Sequence, residues 1–264
     1  MKTGRPSWTA RWVATRRAAL HDRRPARGDA EAERRVYEDL SIPLLLPGLA
    51  RPAGMWTRTR FIDRRMVEGF DGGVAQVVVV GAGYDCRPLR FSEAPVRWFE
   101  VDHPSTQQDK LRRLARTGAR ADHISFVSLD LNEGDLSAEL DAAGHDPESS
   151  TLWLCEGLFP YLSRDVIVRL CGILRSRSTA DSVLVCNALV RGSGRALSRL
   201  LRAGVDTVLA AAGERRKAEF APGDLEGLLA DSGWCISEKE LTTPARSDET
   251  YLVAIAAFPK PPVP

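Results

Sequence analysis

The sequence predicts an α/β fold: a doubly wound, mostly parallel sheet with an antiparallel C-terminal strand pair and a helical cap. Three observations predict it. The run QVVVV at 76–80 is β-branched with no polar alternation, as in a strand covered on both faces. Short apolar runs then alternate with amphipathic helical stretches through the middle of the chain, the pattern of parallel strands joined by crossover helices. Near the end, 234–240 and 251–258 read as strands joined by a polar loop with no room for a helix, so they pair antiparallel.

Taken in order, residues 1–60 read as a helical cap within the same domain as a core at 61–264. Trp8 and Trp12 stand four apart with Val13 alongside, as on one face of a short helix that packs on the core. After the strand at 76–80, further strands are expected at 96–101, 124–129, 151–155 and 182–186, with helices such as 104–116 and 163–175 between them. An insertion, 191–220, carries Leu197, Leu200, Leu201, Val205, Val208 and Leu209 at helical spacing, so 194–212 should be one amphipathic helix. It leaves the carboxyl end of a parallel strand, the edge where open sheets bind ligands, and is a candidate substrate lid. The Pro-rich tail at 259–264 ends the fold.

Composition narrows the function. A chain of 264 residues buries a sizeable core without disulfides. Its five cysteines are an odd number with no CxxC spacing, and read as buried thiols in a reducing compartment. With no apolar run of ~20 residues and no apolar signal core, a cytoplasmic protein without membrane contact is expected. Net charge is +2, but residues 1–35 hold ten Lys or Arg against four Asp or Glu. Only Trp8 and Trp12 interleave with these cations, which argues against nucleic acid; beyond packing on the core, the arginine-rich cap suits an anionic small-molecule substrate. Oligomeric state is left open.

The chemistry concentrates where the first core strand ends. Gly81-Ala82-Gly83 permits a tight turn with close backbone approach to a ligand, and a second strand ends in Asp102 ~20 positions later, where a Rossmann-like site places its ribose-binding carboxylate. The third glycine of a dinucleotide fingerprint is replaced by Cys86, with Asp85 before it. A pyrophosphate is poorly served by that carboxylate. S-adenosyl-L-methionine has the same adenosine with a sulfonium and an amine in place of phosphates, so acids near the turn suit it, and a nicotinamide reductase is the weaker alternative.

The segments TRTRFIDRRM, QVVVVGAGYDCRPLRF, WFEVDHPSTQQDK, FVSLDLN and TLWLCEGLFPYLS occur in this order, and the chain from about Thr9 to about Phe258 resembles the leucine carboxyl methyltransferase family. That family is a branch of class I methyltransferases that includes many bacterial small-molecule O-methyltransferases; Cys86 stands where it more often has Thr. The resemblance implies S-adenosyl-L-methionine as cofactor, with Asp102 accepting both ribose hydroxyls. Asp130 would accept from the adenine amine, with Leu131 packed on the ring, and Arg60 would clamp the cofactor carboxylate through a planar fork. Asp85 completes the glycine turn at 81–83. Glu156, ending the fourth strand before Gly157, suits the cofactor ammonium; the alternative is a buried carboxylate paired with arginines. Tyr161 either touches the methyl acceptor or belongs to the core.

Methyl transfer to oxygen is an in-line displacement at an activated carbon, so the protein chiefly aligns donor and acceptor and excludes water. A non-catalytic binding protein that keeps the pocket is the alternative class. No metal is expected. The acceptor follows from the four histidines. His123 and His145 precede strands at the wrong edge of the sheet and His103 faces the adenosine half, which leaves only His21. A hydroxyl acceptor needs a base; a carboxylate, with a reference pKa near ~4, does not. A small carboxylic acid converted to its methyl ester, as in secondary metabolism, is therefore expected. A phenolic or enolic hydroxyl with His21 or Glu156 as base is the alternative.

Overall fold

The computed structural model describes residues 6–18, 28–38, 52–191, 214–241 and 251–261, with single helical positions at 207 and 210. Three helices, α1 (Trp8–Ala18), α2 (Ala30–Glu38) and α3 (Pro52–Asp71), precede the sheet. Then follow β1 (Gln76–Val80), α4 (Arg87–Arg90), β2 (Arg97–Asp102), α5 (Pro104–Thr117), β3 (Ile124–Ser128), α6 (Leu136–Ala142) and β4 (Thr151–Cys155). A 3-10 turn at Phe159–Tyr161 leads to α7 (Arg164–Ser176), β5 (Val183–Val190), α8 (Asp224–Asp231), β6 (Trp234–Leu241) and β7 (Tyr251–Pro259).

The strands form one sheet in the order β3-β2-β1-β4-β5-β7-β6. β1 pairs in parallel with both β2 and β4, β2 with β3, and β4 with β5, while β7 runs antiparallel to β5 and β6. Strand order reverses between β1 and β4, so the carboxyl ends of these two strands open a crevice at the topological switch point. The apolar run of β1 is explained by its alternation. Val78 and Val80 join one core with Phe99, Trp153, Leu184, Leu170 and Leu228, while Val77 and Val79 join another with Trp98, Leu152, Ile62, Met66 and Leu114. Successive side chains enter opposite helical layers, so no position tolerates water.

Local chemistry sets the helix ends. Pro104 opens α5, and His103 Nδ1 accepts from Ser105 N; α5 ends on Gly118 at φ 64°, in the left-handed region. Asp135 caps α6 by accepting from Ser137 N and Ala138 N. At the sheet edge β6 buries Trp234, then alternates exposed and partly buried residues, and is bulged between Ile236 and Glu238. Charge along an edge discourages pairing with another sheet.

Several expected boundaries move. β5 continues to Val190, four residues past 186, because β7 pairs along its whole extension from Asn187↔Ala254 to Val190↔Tyr251. The division expected between 60 and 61 falls inside α3. Cys86, Cys155, Cys171 and Cys186 are buried, but Cys235 is exposed because it faces outward from the edge strand. Most of the helix expected at 194–212 lies outside the described residues, yet the base of its insertion is pinned: Arg191 N donates to Phe220 O (2.7 Å) and Phe220 N to Leu189 O (2.9 Å). Among the described residues no helix is long and apolar enough to cross a membrane.

Candidate active site

The turn after β1 is tied to the neighbouring strand: Gly81 N and Ala82 N both donate to Val101 O, at 2.8 and 3.1 Å. Gly81 and Gly83 have φ of +69° and +54°, and a Cβ on either would lie 2.9 Å from a neighbour, Leu158 Cδ1 and Ala10 Cβ respectively. Glycine is required on both counts, backbone and space. Gly83 N donates to Asp102 Oδ2, and Asp102 Oδ1 accepts from His103 N at 2.5 Å. Burial raises the Asp102 pKa while these two N–H groups oppose the rise. Beyond β3, Asp130 Oδ1 closes an Asx turn, accepting from Asn132 N (2.9 Å) and Nδ2 (2.6 Å), and His103 Nε2 lies 3.7 Å from Oδ2.

These groups line one cavity of about 570 Å³ at the carboxyl edge of the sheet. One end is formed by the glycine turn with Leu158 against it, Asp102, His103, Asp130 and Leu131; the rest of the lining includes Tyr161, Asn187, Leu189, Glu214 and Arg216. α1 covers it, contributing Trp8, Ala10, Trp12, Val13 and Arg17. The helix is fastened at its start by Glu214, which accepts from Trp8 N (2.6 Å), Thr9 N (2.9 Å) and the Thr9 hydroxyl. A carboxylate there satisfies orphan N–H groups and faces the positive end of the helix dipole.

Against this cavity sits a buried ionic cluster. Glu156, 4% exposed at its side chain, lies 2.7 Å from Arg58 Nε and 2.7 Å from Arg87 Nη1, and also pairs with Arg17. Asp85 pairs with Arg87 (2.5 Å) and Arg17 (3.2 Å), and Asp63 with Arg87 and Arg90, both at 2.7 Å. Burial alone pushes the Glu156 carboxyl up; Arg17, Arg58 and Arg87 together hold it well below the usual carboxylate range. The Asp85 pKa is likewise lowered, Arg17 and Arg87 outweighing burial. Both are carboxylates held ionised by guanidiniums.

Of the residues expected from the sequence, Gly81, Ala82, Gly83, Asp85, Asp102, Asp130, Leu131, Glu156 and Tyr161 meet at this cavity. Arg60 does not. It is exposed on α3, and Arg58, two positions earlier, is the arginine that lines the cavity. Two helical positions are about 200° of rotation, which puts the two side chains on opposite faces. Glu156 is in place, with its carboxylate already among three guanidiniums, the paired alternative. Tyr161 is half-buried beside Thr9, with burial raising its pKa. His21 lies outside the described residues. His123 Nε2 contacts Pro88 O (2.9 Å) and His145 Nε2 contacts Thr151 Oγ1 (3.1 Å), both away from the cavity. Trp8 and Trp12 roof the cavity, and among the described side chains of α1 Ala14 is the apolar one packed fully into the core. Sequence reasoning missed Arg17, Asn187 and Glu214 altogether. Among the described residues no group of three or more His, Cys, Asp or Glu is arranged to hold a metal.

Residues 17–174 match the model of the leucine carboxyl methyltransferase family. A Streptomyces avermitilis protein, provisionally named an S-adenosyl-L-methionine-dependent methyltransferase, is 33% identical over 213 residues, 80% of this chain and 68% of that protein. A similarly named Streptomyces coelicolor protein is 34% identical over 180 residues, 67% of this chain and 60% of that one. Among solved structures, one from Thermobifida fusca, provisionally titled a methyltransferase, aligns at TM-score 0.58 and 16% identity, covering 98% of this chain and 97% of its own. The Synechocystis magnesium protoporphyrin IX methyltransferase with bound S-adenosylmethionine aligns at TM-score 0.51 and 13% identity, covering 87% and 90%. At such identities the two structural matches establish a shared fold.

Proposed function

The chain belongs to the leucine carboxyl methyltransferase family and is a methyltransferase that uses S-adenosyl-L-methionine; from that premise we propose that it converts a small carboxylic acid to its methyl ester. The residues present fit the cofactor. A cavity of about 570 Å³ has the size of a small-molecule site. The turn of Gly81 and Gly83 brings backbone to the cavity wall at the end of β1, and Asp102 stands beside it with lone pairs beyond those taken by Gly83 N and His103 N. Leu131 and Asp130 line the end where an adenine would rest, and Arg58 offers a guanidinium for the amino-acid carboxylate. S-adenosyl-L-methionine supplies an electrophilic methyl on a positive sulfur. The chain's own part is to hold donor and acceptor in line under α1 and to keep water out.

One observation carries the choice of a carboxylic acid. Among the described residues His103 is the only imidazole of the cavity, and it stands beside Asp130 at the adenosine end. Glu156, the other candidate base, is a weak proton acceptor because three arginines stabilise its ionised form. An acceptor already ionised at neutral pH needs neither group, and Arg215, Arg216 and Lys217 line the cavity with charge suited to an anion. The same reading has the protein acting on a free small molecule, in secondary metabolism and in a reducing cytoplasmic compartment; its buried thiols are consistent with that.

Incubation with methyl-labelled S-adenosyl-L-methionine and a panel of small carboxylic acids and phenols tests it. The expected product releases labelled methanol under mild alkali. An alkali-stable methyl ether would overturn the ester reading in favour of the hydroxyl acceptor, and cofactor binding without turnover on any member of the panel would favour a non-catalytic role.

A further inference from the structure

We infer that Asn187 is a substrate-positioning residue whose side-chain N–H2 donates to an anionic oxygen of the methyl acceptor. The inference rests on the methyl-transfer reading and names a residue to which that reading gives no role. Asn187 is fully buried in the extension of β5 and stands on the cavity wall. Its Oδ1 accepts from Gly157 N at 2.7 Å, which fixes the amide's orientation, since the flipped form would set two donors face to face. Its Nδ2 is then left buried with no hydrogen-bond partner among the described residues. A buried amide nitrogen without an acceptor is costly and rare in folded proteins. Beside it the wall is open: Gly157 has φ +68°, and a Cβ there would meet nothing within 4 Å. A residue with an unmet donor thus stands on the cavity wall next to a glycine with open space over its Cα.

The order of strands decides which ligand meets that demand. Asp102 ends β2, the glycine turn ends β1, Glu156 follows β4 and Asn187 lies on β5, and β2, β1, β4 and β5 are consecutive neighbours in the sheet. At a spacing of roughly 4.8 Å per strand, a ligand whose ribose rests at Asp102 and whose amino-acid tail extends towards Glu156 has run two strands along the edge. The next strand carries Asn187, past the end of the cofactor and two residues from the apolar Leu189. A planar carboxylate with an apolar body fits this place. The amide holds one of its oxygens and leaves the other free to face the donor.

The test uses the full chain, S-adenosylhomocysteine as the cofactor stand-in and benzoate as the acceptor probe. In protein carrying ¹⁵N-asparagine, with the Asn187 side-chain pair assigned through its backbone, benzoate added to the S-adenosylhomocysteine complex should shift that pair saturably. Asn187→Asp retains the acceptor for Gly157 N and removes the donor. It should weaken benzoate about tenfold or more, the loss expected for a hydrogen bond to a charged oxygen, while S-adenosylhomocysteine affinity stays within about twofold. Unchanged benzoate affinity in the variant, or no benzoate-dependent shift in the wild-type protein, overturns the inference; the second measurement stands even where the variant does not fold. A parallel loss of S-adenosylhomocysteine affinity in the variant also overturns it, because the donor then serves the cofactor. Failure of the wild-type protein to bind S-adenosylhomocysteine at all would instead remove the methyl-transfer reading on which it rests.

Discussion

The two ends of β1 and β4 carry equally polar, equally buried side chains, and they are finished differently. At the amino end Gln76 Nε2 donates to Asp146 O (2.7 Å) and Thr151 Oγ1 (3.2 Å), while its Oε1 accepts from Asp146 N (2.9 Å). His145 meets Thr151, and Arg177 meets both His145 O (3.1 Å) and Asp141 (2.7 Å). Among the described residues of this network Arg177 Nε alone is left over. At the carboxyl end Asn187 Nδ2 has no partner among the described residues, like charges are crowded around Glu156, and a cavity opens beside them. A buried network that closes on itself stabilises the fold. One held incomplete stands ready for a ligand, and that difference separates site from scaffold here more sharply than charge or burial does.

The comparison is broken most directly at Glu156. Glu156→Ala leaves Arg17, Arg58 and Arg87 facing one another in a buried setting, and should cost about 3–5 kcal/mol of unfolding free energy by urea titration. A loss under about 1 kcal/mol would mean that the cluster was never a stabilising unit. At the amino end the lever is pH. Burial first, and then Arg177, lower the His145 pKa to about 4, below its unfolded value of 6.5. The unfolded chain therefore takes up a proton that the fold refuses. The contribution of His145 is present above pH ~6.5 and is lost as pH falls towards ~4, by at most about 3 kcal/mol. Urea midpoints should fall across that window less steeply in His145→Gln than in the wild-type chain; parallel curves would show that His145 is not the titrating group.

Smaller effects sharpen the comparison on the ligand side. Asp102→Ala should weaken S-adenosylhomocysteine by about 1.5–3 kcal/mol in calorimetry, the worth of a charged hydrogen-bond acceptor. Full affinity in a folded variant would take Asp102 out of the site. Arg58→Lys should lose about 1.4 kcal/mol of the same affinity, because a point charge does not reproduce a planar fork. Arg60→Ala should change both affinity and stability by no more than ~0.5 kcal/mol, as expected of an exposed side chain; if Arg60 proved the more damaging position, α3 would face the cavity with its other side.

What was legible in the sequence follows the range of the interactions involved. β1 and β4 fall where the apolar runs lie, since a strand buried on both faces is written entirely in its own residues. The glycine turn and Asp102 were legible for the same reason: a two-glycine turn and a strand-ending acid are local signals. Choosing between Arg58 and Arg60 needed the face of α3. Met55, Arg58, Thr59, Ile62 and Met66, all buried, mark that face at helical spacing, and the pattern was there to be read. Glu214 gave no such signal. Its partners are Trp8 and Thr9, at separations of 206 and 205 residues, and nothing near it in the chain announces a helix to be capped. Asn187 was equally silent, because a lone polar residue in a strand takes meaning only from the Gly157 N–H that claims half of its amide.

The clasp between Glu214 and α1 also fixes an order of events during synthesis. The helix that roofs the cavity is translated before the sheet it covers, and the carboxylate that fastens it emerges 206 residues after Trp8. A nascent chain that already holds β1 to β5 thus has the strands that carry the site and its roof unlatched. Contacts this distant along the chain form late and slow folding. The site is assembled by the latching of an early helix to a late loop, and until then its apolar walls are left for a chaperone or an early ligand to cover.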